Sequence, residues 1–157
     1  DPLAFVDIIA AMNKERETTA VMVGAGEMEQ QIKDRIAARG LEGKIDVVGF
    51  QTNPYEFIAR STVMMMPSKY EGYPMVALET MMLGVPLLGT PVAGLSELID
   101  DRCGRLCSDV QEFADEALRI SGDPSLRKLL SQGAHRRSSE VNDVPAFTRA
   151  LTTVYES

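Results

Sequence analysis

The sequence predicts an α/β protein with an open, mostly parallel sheet and helices on both faces. Three observations predict it. Short apolar runs rich in Val, Ile, Leu and Met alternate with segments of helical periodicity. Those runs are followed by turn residues, at Gly24, at Gly49-Phe50 and at residues 68–71. Ligands of open parallel sheets lie beyond the carboxyl ends of the strands, and all three turns fall at such ends.

The elements follow in order. Residues 3–16 form an amphipathic helix whose apolar face is Leu3, Phe5, Val6, Ile9, Ala10 and Met12. Residues 18–23 are a strand, followed by Gly24-Ala25-Gly26 and a helix over 28–39. Strand, Gly-x-Gly and helix invite a dinucleotide-binding reading. The third glycine of that fingerprint is replaced by Glu29, whose charge would face a pyrophosphate. An NAD-type oxidoreductase is therefore disfavoured, and Gly24 marks a turn where backbone approaches a ligand or a neighbouring strand. Residues 44–50 are a third element, a strand through Ile45, Val47 and Val48. Asn53 caps a short helix reaching Arg60, and residues 63–67 read as a buried strand closed by Pro67.

The segment 68–84 organises the rest. A polar loop leads to Pro74, suited to the first position of a helix that Gly84 stops. Met75, Val76, Ala77, Leu78, Met81, Met82 and Leu83 make that helix apolar almost all round, as in a buried helix. Glu79 stands in its middle, where a carboxylate needs a partner. It lies roughly 7.5 Å of helical rise past Pro74, and its side chain leans back toward the N-terminus. Glu71 stands in the preceding loop. Two carboxylates thus converge on a helix mouth whose Tyr73, Met75 and Val76 amides can hold an anion. Acceptors for hydroxyls beside a phosphate cradle suit a ligand that is part sugar, part phosphate. The plainer alternative has Glu71 favouring the helix dipole and Glu79 paired with a Lys or Arg.

Residues 85–89 are the next strand, and a short helix follows Thr90-Pro91-Val92. Residues 103–107 form a final edge strand with Gly104 at its turn. Val110, Phe113, Ala114, Ala117, Leu118 and Ile120 form one apolar helical stripe. Asp123-Pro124 punctuates, and Leu126, Leu129, Leu130 and Ala134 form another. The polar run 135–140 is expected to be solvated, and Phe147, Leu151, Val154 and Tyr155 to form a last short helix. The nine methionines are expected to fill the core.

A chain of 157 residues suffices for one domain with a sizeable core. A net charge of −7 argues against binding nucleic acid through its phosphates. No apolar run is long enough for a transmembrane segment and no signal peptide opens the chain, so a cytoplasmic location is expected. Cys103, Cys107 and His135 are too few soft ligands for a zinc site, which takes about four. No metal is expected, and reduced cysteines fit that compartment. His135, in a basic polar helix, reads as a surface residue.

Residues 67–86, PSKYEGYPMVALETMMLGVP, resemble the donor-site signature of retaining glycosyltransferases of the two-Rossmann-domain (GT-B) architecture, group 1 or family 4 type. The hallmark of that signature is a glutamate pair with seven residues between them, as in Glu71 and Glu79, flanked by strand-Pro-Ser and Gly-x-Pro. The resemblance extends over residues 18–101. It implies a Rossmann-like sheet and a single nucleotide-sugar-binding domain over 1–157, the C-terminal half of a two-domain enzyme. The family's strand before the first helix, and the Arg and Lys that neutralise the donor diphosphate, have no counterpart upstream. A gap in the sheet, and a chain inactive alone, are therefore expected.

By the same resemblance Glu79 would accept hydrogen bonds from ribose hydroxyls. Glu71 would hold hydroxyls of the transferred sugar and serve catalysis by stabilising positive charge at the anomeric carbon. The amides of Gly72, Tyr73, Met75 and Val76 would grip sugar and diphosphate and stabilise the leaving group. Gly49 and Phe50 match the position lying against the nucleobase, although an ordinary strand-to-loop glycine explains Gly49 equally. Gly24 would join the same nucleotide-sugar site. Members of the family generally need no bound metal, and no cofactor is implied beyond the substrate, a nucleotide-diphosphate sugar. The partners implied are that donor and the missing N-terminal acceptor-binding domain, through which peripheral membrane contact is open. The pathway implied is polysaccharide, capsule or glycolipid biosynthesis. One departure is Ala93, where the family usually carries the first of two adjacent glycines. Glu97 matches a recurrent acid and reads as structural. Sugar-nucleotide 2-epimerases share the architecture, and a non-catalytic nucleotide-binding module is the other alternative.

Overall fold

A computed structural model describes residues 1–141. The stripe expected over Phe147 to Tyr155 lies outside them. The order is α1 (Pro2–Glu15), β1 (Ala20–Met22), α2 (Glu29–Ala38), β2 (Ile45–Val47), α3 (Tyr55–Ala59), β3 (Met64–Met66), α4 (Met75–Met82), β4 (Leu87–Gly89), α5 (Ala93–Leu98), β5 (Gly104–Leu106), α6 (Val110–Gly122) and α7 (Pro124–Val141). The alternation of strand and helix is the α/β class expected, and every strand pairing is parallel.

The strands form two sets, β1-β2 and β3-β4-β5, and no pairing joins them among the described residues. Because side chains alternate across a strand, β3 and β4 feed two cores. Met64, Met66 and Leu87 point to a core shared with α4, α5 and Ala134 of α7. Met65 and Leu88 point to the opposite face, where α1 and α6 pack against Ile45 of β2. Leu87 and Leu88 are both fully buried, and each such side chain contributes about 1.5–3 kcal/mol.

Local chemistry sets the boundaries. Asp1 caps α1 by accepting from the Ala4 amide, and Asp109 caps α6 by accepting from Glu112. Gly104 is not in a turn but opens β5. A Cβ there would stand 1.8 Å from the Leu87 carbonyl oxygen, so only glycine fits. The polar run 135–140 is not simply solvated: it lies in α7, where Ser138 is buried and Arg137 donates to the Leu98 and Glu97 carbonyls. His135 is exposed, with its ring set over Gly84. The methionines divide, with Met12, Met66 and Met81 buried and Met75 and Met82 on the surface. Both cysteines are buried and free, Cys103 in one core and Cys107 in the other. Burial pushes the Cys107 thiol up to about 12, so it is a packing group.

Helix α7 is docked by charge as well as by packing. Arg102 bonds both Asp100 and Glu140, and Arg137 reaches the same two carboxylates. Burial raises the Asp100 carboxyl, but hydrogen bonds from Arg102 and the charges of Arg102 and Arg137 outweigh it and hold the group low. The Arg102 hydrogen bond likewise holds Glu140 low. Carboxyls depressed in the folded state stabilise it fully above their ordinary range, about pH 4 to 5. They lose that contribution as pH falls through the lowered values. Thermal melts of the wild type and Arg102→Ala should therefore differ at neutral pH and converge on acidification. A gap that persists at acid pH would refute the network's role.

Candidate functional site

The site lies at the carboxyl ends of the strands, as expected. Two loops meet there when the Gly24 amide donates to the Gly49 carbonyl at 2.8 Å. Both glycines have positive φ, 133° and 68°, which a side chain would resist. Gly24-Ala25-Gly26 lines a recess of about 290 Å³ with Pro2, Met22 and Val47. Glu27 and Glu29 also line it, and Glu29 is paired to Lys33 at 2.6 Å. Phe50, 75% exposed, is an open apolar surface beside these loops.

The loop between β3 and α4 supplies the acids. Ser68 donates to the Glu71 carboxylate at 2.7 Å, and Thr90 donates to the Ser68 carbonyl. The Gly94 amide donates to the Glu71 carbonyl at 3.3 Å. Both the side chain and the backbone of Glu71 are thereby placed. Lys69 turns to Asp1 at the start of α1, at 2.9 Å. Helix α4 begins one residue later than expected. Pro74 is extended and occupies the cap position rather than the first helical one. It has no N–H to offer, and its own carbonyl accepts from Ala77 and Leu78. The amides of Gly72, Tyr73, Met75 and Val76 donate to no acceptor among the described residues. They are the orphan donors a helix start leaves.

Helix α4 is not buried all round. Ala77, Leu78, Thr80 and Met81 face the core, while Met75 and Met82 are 56% and 54% exposed. Met75 opens the helix and Met82 closes it, so the exposed pair stands at its two ends. Glu79 is half-buried, and no Lys or Arg reaches it among the described residues. Its partner is Tyr55 of α3, whose hydroxyl donates to Oε1 at 3.4 Å. Glu71 and Glu79 thus stand on either side of the free amides with separate partners, and no bond joins them. Among the described residues no three His, Cys, Asp or Glu side chains are grouped to hold a metal. No described helix is long and apolar enough to cross a membrane.

The profile of the family described as Glycosyl transferases group 1 matches residues 3–123. The chain belongs to that family. Among curated glycosyltransferase relatives is the lipopolysaccharide core biosynthesis mannosyltransferase LpsB of Rhizobium meliloti. It is 29% identical over 134 residues, 82% of this chain and 38% of LpsB. The N-acetyl-α-D-glucosaminyl L-malate synthase of Bacillus anthracis is 31% identical over 155 residues, 95% of this chain and 41% of that enzyme. The chain thus spans about two fifths of the length of these relatives. Among solved structures, a variant of S. aureus TarM in complex with fondaparinux, α-GlcNAc-glycerol and UDP superposes with a TM-score of 0.89. The identity is 18%, covering 98% of this chain and 32% of TarM. Anabaena HepE in complex with UDP superposes with a TM-score of 0.84 at 22% identity, covering 97% and 44%. These likenesses give the group 1 glycosyltransferase chain its fold, the Rossmann-like sheet of GT-B enzymes.

Three contacts around these residues were not singled out from the sequence. Tyr55 follows Asn53-Pro54 in a short helix, and nothing local ties it to Glu79. Gly94 is the second of the expected glycine pair. A Cβ on it would stand 2.1 Å from the Gly72 carbonyl oxygen and 2.9 Å from Pro74 Cδ, so it needs to be glycine. Its readable signal was the glycine itself, opening a helix beside Ala93. Ala93 is exposed at the start of α5, so the departure there leaves the close contact intact. Thr90 could be found only through the parallel register of β3 and β4. Glu97 takes part through its carbonyl to Arg137, in keeping with a structural reading.

Proposed function

We propose that the protein is a retaining glycosyltransferase and that this domain binds its nucleotide-diphosphate sugar donor. The observation that carries the reading is the row of unpaired amides from Gly72 to Val76, with Glu71 before it and Glu79 behind it. Amides at a helix start stabilise the diphosphate, most strongly when the bond from the anomeric carbon breaks and its electron pair moves onto the leaving phosphate oxygen. Glu79, half-buried with Tyr55 at its flank, accepts from the ribose hydroxyls. Glu71, held by Ser68, accepts from sugar hydroxyls and offsets positive charge at the anomeric carbon. Phe50 and Gly49 lie against the base, and Gly24 closes that end of the cleft. The acceptor hydroxyl then bonds to the anomeric carbon on the face the diphosphate leaves, passing its proton to the departing phosphate oxygen.

The names of the relatives support this reading. LpsB is a mannosyltransferase of lipopolysaccharide core biosynthesis, and HepE has been solved with UDP-glucose as well as UDP. We place this chain in polysaccharide, capsule or glycolipid synthesis on that ground. The acceptor site and a basic clamp for the diphosphate belong to further sequence, in keeping with the greater length of the relatives. The division between β1-β2 and β3-β4-β5 fits a sheet completed by a strand from that sequence.

Assaying the full-length protein for sugar transfer, donor hydrolysis and epimerisation tests the proposal. Transfer with retained configuration is expected. In that protein Glu71→Gln should lower turnover about a hundredfold, the scale of losing one transition-state contact, with the fold unchanged. Epimerisation, or wild-type turnover in the variant, would overturn the assignment.

A further inference from the structure

Most lysines and arginines of this acidic chain face a carboxylate. Arg60, Arg127 and Lys128 do not. Their side chains make no hydrogen bond or ion pair among the described residues, and all three line one recess of about 500 Å³. No Asp or Glu lines it, whereas Ser61, Thr62 and Ser131 do, the Ser61 hydroxyl already donating to the Phe57 carbonyl. The neighbouring acid, Asp123, is occupied in capping Ser125 and Leu126. Arg127 and Lys128 lie near the start of α7, the end where the helix dipole disfavours cations. All three side chains are exposed, so the recess carries an uncompensated cluster of positive charge open to solvent on a chain of net charge −7.

The recess is distinct from the donor site. It is walled by residues 59–62 and 83–86, which precede β3 and β4, whereas the glutamate loop follows β3. The length of a three-residue strand, roughly 10 Å, separates them.

We propose that this recess is a second anion site, taking a phosphate-bearing ligand between Arg60 of the α3 end and Arg127 and Lys128 of α7. Guanidinium groups grip phosphate oxygens in pairs, the ammonium adds a point charge, and the hydroxyls of Thr62 and Ser131 complete the shell. The ligand is a free phosphate ester or the phosphate of a lipid headgroup.

Inorganic pyrophosphate titrated into isotopically labelled protein tests it by amide shifts. Saturable shifts are expected at Ser61, Thr62, Gly84 and Lys128. They should persist in Glu79→Ala and weaken at least about tenfold in the triple variant Arg60→Ser, Arg127→Ser, Lys128→Ser, since one charge-assisted bond is worth that factor. An otherwise unchanged spectrum of the triple variant shows that it folds. In a second arm the protein is sedimented with vesicles of phosphatidylcholine alone or mixed with phosphatidylglycerol. Capture only by the anionic vesicles, lost in the triple variant, assigns the lipid source. Pyrophosphate shifts without capture assign a free phosphate ester. Absence of both, or equal binding by the triple variant, overturns the site.

Discussion

Glu79→Ala is expected to weaken the binding of the preferred nucleoside diphosphate by about a hundredfold, with little loss of stability. A hydrogen bond to a charged group is worth about 1.5–3 kcal/mol, and two ribose hydroxyls would lose theirs together. Stability changes little because the carboxylate is half-buried and, among the described residues, paired with no cation and held by a 3.4 Å bond from Tyr55. Removing it creates no buried orphan, since the Tyr55 ring is itself 46% exposed. Tyr55→Phe should cost much less, about a few-fold, because it removes an orienting contact and leaves the acceptor in place. Calorimetry on both variants against UDP, GDP and ADP separates the roles. Unchanged affinity in Glu79→Ala for all three would end its assignment to the ribose.

Gly94→Ala should damage both fold and site. The added Cβ would meet backbone, the Gly72 carbonyl at 2.1 Å, so no rotamer change can make room. The Gly72 loop or α5 has to move, and overpacking of this kind costs about 1–3 kcal/mol. For a domain of this size that corresponds to a fall of roughly 2–10 °C in Tm. The displaced segment carries Glu71, whose carbonyl accepts from the Gly94 amide, and the first of the free amides. Nucleotide affinity should therefore fall further than the melting temperature alone explains. Ala93→Gly, one residue away and exposed, should leave nucleotide affinity unchanged. Equal affinity in wild type and Gly94→Ala would mean the loop does not set the site.

The class of fold was legible because parallel strands and packed helices each leave a period in the sequence. Met65 lies in a strand that lacks a pairing neighbour on one side among the described residues, so the strand at 63–67, expected to be buried, is only partly so. Periodicity reports which face of a strand is apolar, not whether both edges are filled. The glutamate pair was singled out by its spacing together with the flanking strand-Pro-Ser and Gly-x-Pro. What holds each acid was not, because Tyr55 lies 24 residues before Glu79, and Thr90 lies 22 after Ser68. Such contacts depend on how β3 and β4 are registered and on how α3 meets α4. Helix α4 misled for a related reason. Its apolar sequence predicts burial, yet Met75 at its first position and Met82 at its last face outward. The polar run at 135–140 misled the other way, since Arg137 and Glu140 find partners far off in sequence, at Leu98 and Arg102.

The most direct measurement is a crystal structure of the chain with the nucleoside diphosphate that raises its melting temperature most, chosen from UDP, GDP and ADP. The account predicts the diphosphate against the amides of Gly72 to Val76, the ribose hydroxyls on Glu79 and the base beside Gly49 and Phe50. A nucleotide bound away from the start of α4, with Glu79 untouched, would contradict it.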